Sequence, residues 1–343
     1  MKILGLETSC DETAAAVIED GSRILSDVVV SQIDIHQEYG GVIPEIAARS
    51  HIEAILPVID KAVSPIGWDQ IDAIAVTNQP GLLGSLLIGT LTARTLAITR
   101  DKPLYGIHHI KSHIYANWLD SESVPEFPAI ALVVSGGHTQ LIYLKSHTDF
   151  EIIGSTRDDA VGEAFDKVAK ILGLPYPGGP SIGRAALSGD PTAYKLPIPQ
   201  VPGYDFSFSG LKTATLRAIQ SALGKPISFP SHQLAALLTD QQRNDFAASF
   251  ETTSIKILVE KLSKAVENYQ PKSIMIAGGV SANVKLRESI ADFAQKQLDL
   301  AFFTPQPKFS TDNAAMVASA AYFEIKNGKK PDSPYQLEAN PTK

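Results

Sequence analysis

Cys10 is the chain's only cysteine, so no intrachain disulfide can form and thiolate zinc clusters are excluded. Any metal must sit on histidine and carboxylate. Long apolar runs are missing too. No stretch approaches the ~18 to 20 residues needed to span a bilayer, and the opening Met1-Lys2-Ile3-Leu4-Gly5-Leu6-Glu7 reads as a strand that meets Glu7 too early for a signal peptide. A soluble, cytoplasmic protein without membrane contact is the expectation. Basic charge is also in deficit, with 30 Lys and Arg against 37 Asp and Glu and a formal charge of −7. That balance argues against broad nonspecific nucleic-acid binding but permits a local basic patch or a basic partner chain. What the chain does have is apolar bulk: 343 residues, 44% of them hydrophobic, suffice for two lobes with sizeable cores.

Patterning predicts strands at Lys2 to Leu6, Ala14 to Glu19 and, after the Asp20-Gly21 turn, Arg23 to Val30. A helix at Ile43 to Ala62, a strand at Ile71 to Thr77, a helix at Gly84 to Thr99 and a strand at Leu104 to Ile107 follow. The pattern then restarts, with Ala129 to Val134 a strand and Gln140 to Lys145 its return. The stretches Leu6-Glu7-Thr8-Ser9-Cys10-Asp11-Glu12-Thr13 and Val134-Ser135-Gly136-Gly137-His138-Thr139 each join an apolar strand to a small polar turn and a Thr, which points to an internal duplication. The second half adds helices at Gly162 to Leu172, Leu211 to Ala222, Gln241 to Asn268, Asn283 to Gln297 and Asn313 to Lys326, with a buried strand at Ser273 to Ala277. Leu196 to Pro202 reads as an extended surface loop, Pro177-Gly178-Gly179-Pro180 as a fixed loop, and the tail from Gly328 as loosely ordered.

His109 and His113 stand four apart, so on a helix from Ile110 to Trp118 both imidazoles face one way. One carboxylate would complete a two-His, one-carboxylate set with open positions, and Asp312 in Ser310-Thr311-Asp312-Asn313 is the choice. With eight His in the chain, a solvated or capping pair is the competing reading of the spacing alone. Two small polar turns after buried strands suit phosphate, since the N–H groups of Gly136 and Gly137 can approach an anion with no Cβ in the way. Ordinary hairpin turns are the alternative. Ile276 to Asn283 runs strand, Gly pair, helix start, where Asn283 offers a donor and an acceptor to a nucleoside; a tight turn capped by Ser281 is the plainer account. Asp166 could accept from a ribose hydroxyl or be a surface carboxylate. Phe206-Ser207-Phe208-Ser209, followed by Lys212 and Arg217, could meet nucleic acid or feed a helix. Asp11 and Glu12 are adjacent acids suited to accept a proton, or simply solvated.

Together these segments, with Tyr39 to Glu45, closely resemble the TsaD/Gcp/Kae family, the tRNA N6-adenosine threonylcarbamoyltransferases, over nearly the whole chain. The resemblance implies an α/β fold of the two-lobed, duplicated actin-like, sugar-kinase and heat-shock-ATPase type, ribonuclease H-like in each lobe. The N-terminal lobe would be 1–125 and the C-terminal lobe 126–327, its last helix, 312–327, packing back at the lobe interface before a tail at 328–343. It implies that His109, His113 and Asp312 hold one divalent metal, Fe2+ being the usual assignment and Zn2+ an alternative. It further implies that Val133, Val134, Ser135, Gly136, Gly137, Asp166, Gly179 and Asn283 bind the threonylcarbamoyl-adenylate or a related adenine nucleotide of ATP or ADP type. The expected reaction carries the threonylcarbamoyl group from L-threonylcarbamoyl-AMP to N6 of the adenosine 3′ of the anticodon in tRNAs reading ANN codons. Asp11 or Glu12 would take the proton. Expected partners are tRNA, a smaller noncatalytic paralogue and a separate P-loop-type ATPase.

Gln79 and Gly183 depart from the family pattern, which more often has Gly at the first and Asp at the second, so no ligand role is carried to position 183. The nearest rival is a carbamoyl-adenylate-dependent O-carbamoyltransferase acting on a small hydroxyl compound. A zinc protease fails because Ile110 follows the first His where that motif needs Glu. A simple ATPase or sugar kinase leaves His109 and His113 idle.

Overall fold

The computed structural model describes residues 1–297 and 300–342. It runs β1 (Lys2–Glu7), β2 (Glu12–Glu19), β3 (Arg23–Ser31), α1 (Ile33–Gln37), α2 (Pro44–Val63), β4 (Ala73–Gln79), α3 (Leu83–Arg100), β5 (Leu104–His108) and α4 (His109–Tyr115). Then come β6 (Ala129–Val134), β7 (Thr139–Leu144), β8 (Phe150–Ser155), α5 (Val161–Leu172), α6 (Gly178–Ala186), α7 (Ser209–Ala222) and α8 (Asp240–Tyr269). The chain continues through β9 (Ser273–Ala277), α9 (Val284–Gln295), β10 (Ala301–Phe303) and α10 (Ala314–Lys326). Two compact units result, one of residues 1–125, 145–149 and 303–343, the other of 126–144 and 150–302. The expected boundary at 327 differs from this division, since α10 packs within the first unit.

In the first unit the strand order is β3-β2-β1-β4-β5, with β1 antiparallel to β2 and parallel to β4. Between β2 and β3, Asp20 (φ 50°) and Gly21 (φ 78°) take left-handed backbone that these residues tolerate. Side chains alternate across β1. Leu4 and Leu6 join Ile55, Val58 and Ile59 of α2 and Ala93 of α3 in one core. Gly5 points the other way, where an added Cβ would overlap the Ala314 carbonyl oxygen and sit 3.1 Å from the Ala318 Cβ. The α10 face is correspondingly small, with Ala314, Ala315, Ala318 and Ala321 fully buried.

The tail is not loose. Asp332 bridges to Leu104, its N–H donating to the Leu104 carbonyl at 2.8 Å while its Oδ2 accepts from Gly106 N–H at 2.8 Å. Arg94 donates to the carbonyls of Pro334 (2.5 Å) and Tyr335 (3.1 Å), and Leu337 enters the core. Proline and lysine content disguised a segment that serves as an outer brace for β5. Lys343, the end of the expected tail, lies outside the described residues.

The second unit repeats the plan: its sheet order is β10-β9-β6-β7-β8, with β6 antiparallel to β7 and parallel to β9. The duplication expected from the two strand-turn segments is thus present in the topology. Its core gathers Ile130, Leu132, Phe165, Phe206, Phe250 and Ile276. α8 opens on a capping box of Thr239 and Gln242. One expectation is overturned: Gly178-Gly179-Pro180 is not a loop but the first turn of α6. Proline there removes only an N–H that has no intrahelical acceptor, and Asp166 Oδ1 accepts from the Gly178 N–H at 2.6 Å. The Pro-rich stretch around 196–202 is irregular as expected, held by Lys261 Nζ donating to the carbonyls of Val201 (2.6 Å) and Gly203 (2.9 Å).

Gly5→Ala is expected to cost about 1–3 kcal/mol, because the backbone of α10 cannot move aside as a flexible side chain would. A thermal-unfolding midpoint unchanged from wild type would contradict this account of the β1–α10 contact.

Candidate functional site

β5 ends and α4 begins at His109, which puts His109 and His113 one turn apart on the same face. His108 caps the helix: its Nδ1 accepts from the Ile110 N–H at 3.2 Å, and burial together with the neighbouring His109 holds it neutral with a pKa of about 4. Asp312 stands just ahead of α10, whose N-cap Asn313 accepts from the Met316 N–H at 2.9 Å. Asp312 Oδ1 lies 3.6 Å from His109 Nε2 and 3.2 Å from His113 Nε2, and the donor atoms of all three residues fall within 4.8 Å of one another. The rings meet edge-on with centroids 4.6 Å apart. Both ring nitrogens of His113 are buried without a hydrogen-bond partner. An orphaned buried imidazole aimed at a carboxylate oxygen, with a second imidazole beside it, fits a divalent metal better than a solvated pair.

Glu7 was not anticipated. It is fully buried at the end of β1, its Oε1 accepting from the Ser9 N–H at 2.6 Å and its Oε2 from the Thr77 hydroxyl at 2.6 Å. His109 Nδ1 is 3.2 Å from the same Oε2 and 3.1 Å from Ser9 Oγ. The available signal was an acid closing an otherwise apolar strand. Burial pushes His109 down, but the charges of Asp312 and Glu7 outweigh it and raise the pKa to about 9. Burial pushes Glu7 up, while His109 and the Thr77 hydrogen bond bring it below the usual carboxylate value. Glu12 is driven well above that value by burial and by the charges of Asp312 and Asp11, although Ser31 Oγ donates to it at 3.1 Å.

The two small polar turns differ in how open they are. In the first unit Thr8 and Ser9 are buried, Thr8 Oγ1 donates to the Ser85 carbonyl at 2.8 Å, and an added Cβ at Gly81 would come within 2.6 Å of the Ser9 carbonyl. That turn is closed by α3 and given over to the histidine site. Gln79 is the last residue of β4, so the close approach there falls on Gly81 instead. In the second unit the Ser135 N–H donates to the His138 carbonyl at 2.8 Å, and Gly136 and Gly137 face open space. Val133 and Val134 are fully buried and can offer only backbone. Gly162 and Gly278 both pack against this turn: added Cβ atoms would sit 2.6 Å from the Ser135 carbonyl and 2.5 Å from the Val134 carbonyl.

Asp166 spends one oxygen on α6, and burial raises its pKa. Gly179, in that same first turn, faces open space. Asn283, not Ser281, caps α9, accepting from the Leu286 N–H at 2.9 Å while its Nδ2 donates to Glu251 Oε1 at 2.7 Å. Glu251 lies 3.5 Å from where a Cβ on Gly183 would stand. The Phe206 segment does not offer rings to a ligand: Phe206 and Phe208 are fully buried, and Ser207 and Ser209 bind Asp158. Asp11, Glu12 and the histidine set belong to the first unit, and Val133 to Gly137, Asp166, Gly179 and Asn283 belong to the second.

Two duplicated five-stranded α/β units, one with an open glycine turn and the other with a His-His-Asp set, define a protein of the actin-like ATPase and sugar-kinase fold class. Full-length HypF, solved in its phosphate- and nucleotide-bound form, aligns with 95% of this chain and 55% of its own at a TM-score of 0.58 and 13% identity. HypF of T. kodakarensis aligns at 0.59 and 14% identity over 95% of this chain and 48% of its own. These show the fold alone. The family model TsaD, tRNA N6-adenosine threonylcarbamoyltransferase, matches residues 23–319. A protein of that name from Symbiobacterium thermophilum is 50% identical over 96% of this chain and 93% of its own, and one from Bacillus cereus ATCC 10987 is 47% identical over 99% and 95%. The chain belongs to the TsaD family.

With the His109 pKa at about 9, a metal binding there at neutral pH would have to displace its Nε2 proton. Calorimetry at pH 7.5 in buffers of different ionisation enthalpy is expected to show roughly one proton released per ion, with affinity rising roughly tenfold per pH unit toward pH 9. A pH-independent affinity over that range would contradict the assignment.

Proposed function

We propose that the chain transfers the threonylcarbamoyl group from L-threonylcarbamoyl-AMP to N6 of the adenosine 3′ of the anticodon in tRNAs reading ANN codons, releasing AMP. The family match over residues 23–319 carries this reading. Support from geometry comes from His109, His113 and Asp312, which would hold one divalent metal, Fe2+ by preference with Zn2+ as an alternative occupant. When bound, the metal supplies Lewis acidity toward the substrate's carbonyl oxygen and a fixed point for its threonyl end.

The chain's own residues supply the rest. The open N–H groups of Gly136 and Gly137 suit the adenylate phosphate, whose negative charge grows as AMP departs. The open surface at Gly179 in the first turn of α6 and the Asn283 cap of α9 are candidates for the rest of the adenine nucleotide, each at a helix start where partial positive charge favours an anion. Glu12 is the proposed acceptor of the N6 proton. It stands beside Asp11 at the start of β2, in the same unit as the histidine set. An adenosine amine is a poor nucleophile, so orientation contributes more than basicity.

Partners belong to the same proposal. The charge of −7 leaves the chain poorly equipped to hold tRNA alone, which supports shared docking with a smaller noncatalytic paralogue and a separate P-loop-type ATPase. An exposed apolar row on α3, Leu83, Leu87, Leu91 and Ile98, with Ile52 and Leu56 of α2 also exposed, supports a protein partner on the first unit.

Labelled threonylcarbamoyl transfer from its adenylate to unmodified tRNA reading ANN codons, with partner proteins added, tests the reading. Wild type is expected to transfer and His109→Ala to lose activity. No transfer by wild type, with metal and adenylate still bound, would favour a small hydroxyl acceptor. In single-turnover transfer Glu12→Gln is expected to slow the step by about 100-fold or more, and an undiminished rate would remove Glu12 from the proton-accepting role.

A further inference from the structure

We propose that Glu7 is the positioning carboxylate of the metal centre, fixing a hydrogen on His109 Nδ1 so that Nε2 is the nitrogen turned toward Asp312 and His113 to take a metal. The proposal rests on reading those three residues as a metal-ligating set. Glu7 is fully buried, so its charge is tolerable only if its oxygens are satisfied. Its Oε1 takes the Ser9 N–H at 2.6 Å and its Oε2 the Thr77 hydroxyl at 2.6 Å. Ser9 follows β1 and Thr77 lies in β4, and these strands pair in parallel through Leu6↔Val76. Backbone pairing therefore aims the carboxylate, and the remaining approach to Oε2 is filled by His109 Nδ1 at 3.2 Å.

An ionised carboxylate can only accept, so Nδ1 must carry the hydrogen. Ser9 Oγ, 3.1 Å from the same nitrogen, can accept as well and does not reverse that assignment. With Nδ1 protonated, the lone pair available for a metal is on Nε2, the atom 3.6 Å from Asp312 Oδ1. Glu7 acts through His109 rather than on substrate. His113, whose ring nitrogens have no hydrogen-bond partner, has no equivalent support, so orientation at this site depends on Glu7 through one imidazole.

The test is metal affinity, measured on the full-length apo-protein with Zn2+ in competition with a chromophoric chelator. Glu7→Gln keeps the shape and one accepting oxygen but can turn an amide N–H toward Nδ1. Its affinity is expected to fall about 10–100-fold, and 15N shifts of the Zn2+-loaded wild type are expected to show His109 ligating through Nε2. Thr77→Val, which keeps the carboxylate but frees its orientation, is expected to lose several-fold and stands in if Glu7→Gln does not fold. Unchanged affinity in a folded Glu7→Gln with altered apo stability, unchanged affinity in Thr77→Val, or ligation through Nδ1 would each overturn the proposal. A wild type that binds no Zn2+ would instead overturn the metal reading itself, and this inference with it.

Discussion

A carboxylate with no contact to water, closing the central strand of the first sheet, is the constraint around which the candidate metal site is arranged. Burying such a charge costs several kcal/mol unless hydrogen bonds and an opposite charge replace the lost water. Glu7 meets that condition through Ser9, Thr77 and His109. These partners come from the ends of three adjacent strands, β1, β4 and β5, so the site is as firm as the parallel pairing beneath it. The candidate carboxylate ligand arrives by a different route. Gly5 and the alanine face of α10 let helix and strand come close, and Asp312 stands at the start of that helix.

The two units share one strand order but have diverged at the turn after the first strand. Glycine decides the difference in both. Gly81 and Gly89 permit close packing against Ser9 and Thr8, which buries the first turn and turns its polar groups inward. Gly136 and Gly137 leave the second turn bare, with open space where their side chains would stand. A duplicated scaffold thus supplies an inward polar network in one copy and an open glycine turn in the other.

Two polar residues that looked free for ligands in the sequence are already employed at helix starts: Asp166 receives the first turn of α6 and Asn283 caps α9. Asp158 does the same at the start of α7, collecting the N–H groups of Phe208 and Ser209. Helix N-termini leave N–H groups without intrahelical acceptors, and a nearby carboxylate or amide oxygen is the usual remedy. Such positions also face the positive end of the helix, which keeps Gly179 and Asn283 in place as candidates for an anionic nucleotide while narrowing what their own atoms can donate.

Periodicity was enough to locate most elements within a residue or two, because buried strands such as Ala129–Val134 and amphipathic helices such as α5 are determined by which residues must leave water. The short edge strands β8 and β10 escaped notice, since an edge strand needs little apolar patterning. α6 escaped because breakers in a first turn resemble breakers in a loop. The His pair was readable for the same local reason: four residues on a helix are one turn. Glu7 was not, since its importance depends on Thr77 and His109, which only the pairing of β1, β4 and β5 brings to it. Sequence alone determined most of the elements, the duplication and the family. Tertiary structure decided which polar groups are buried against one another, because hydrogen bonding and desolvation act between residues that the chain keeps far apart until it folds.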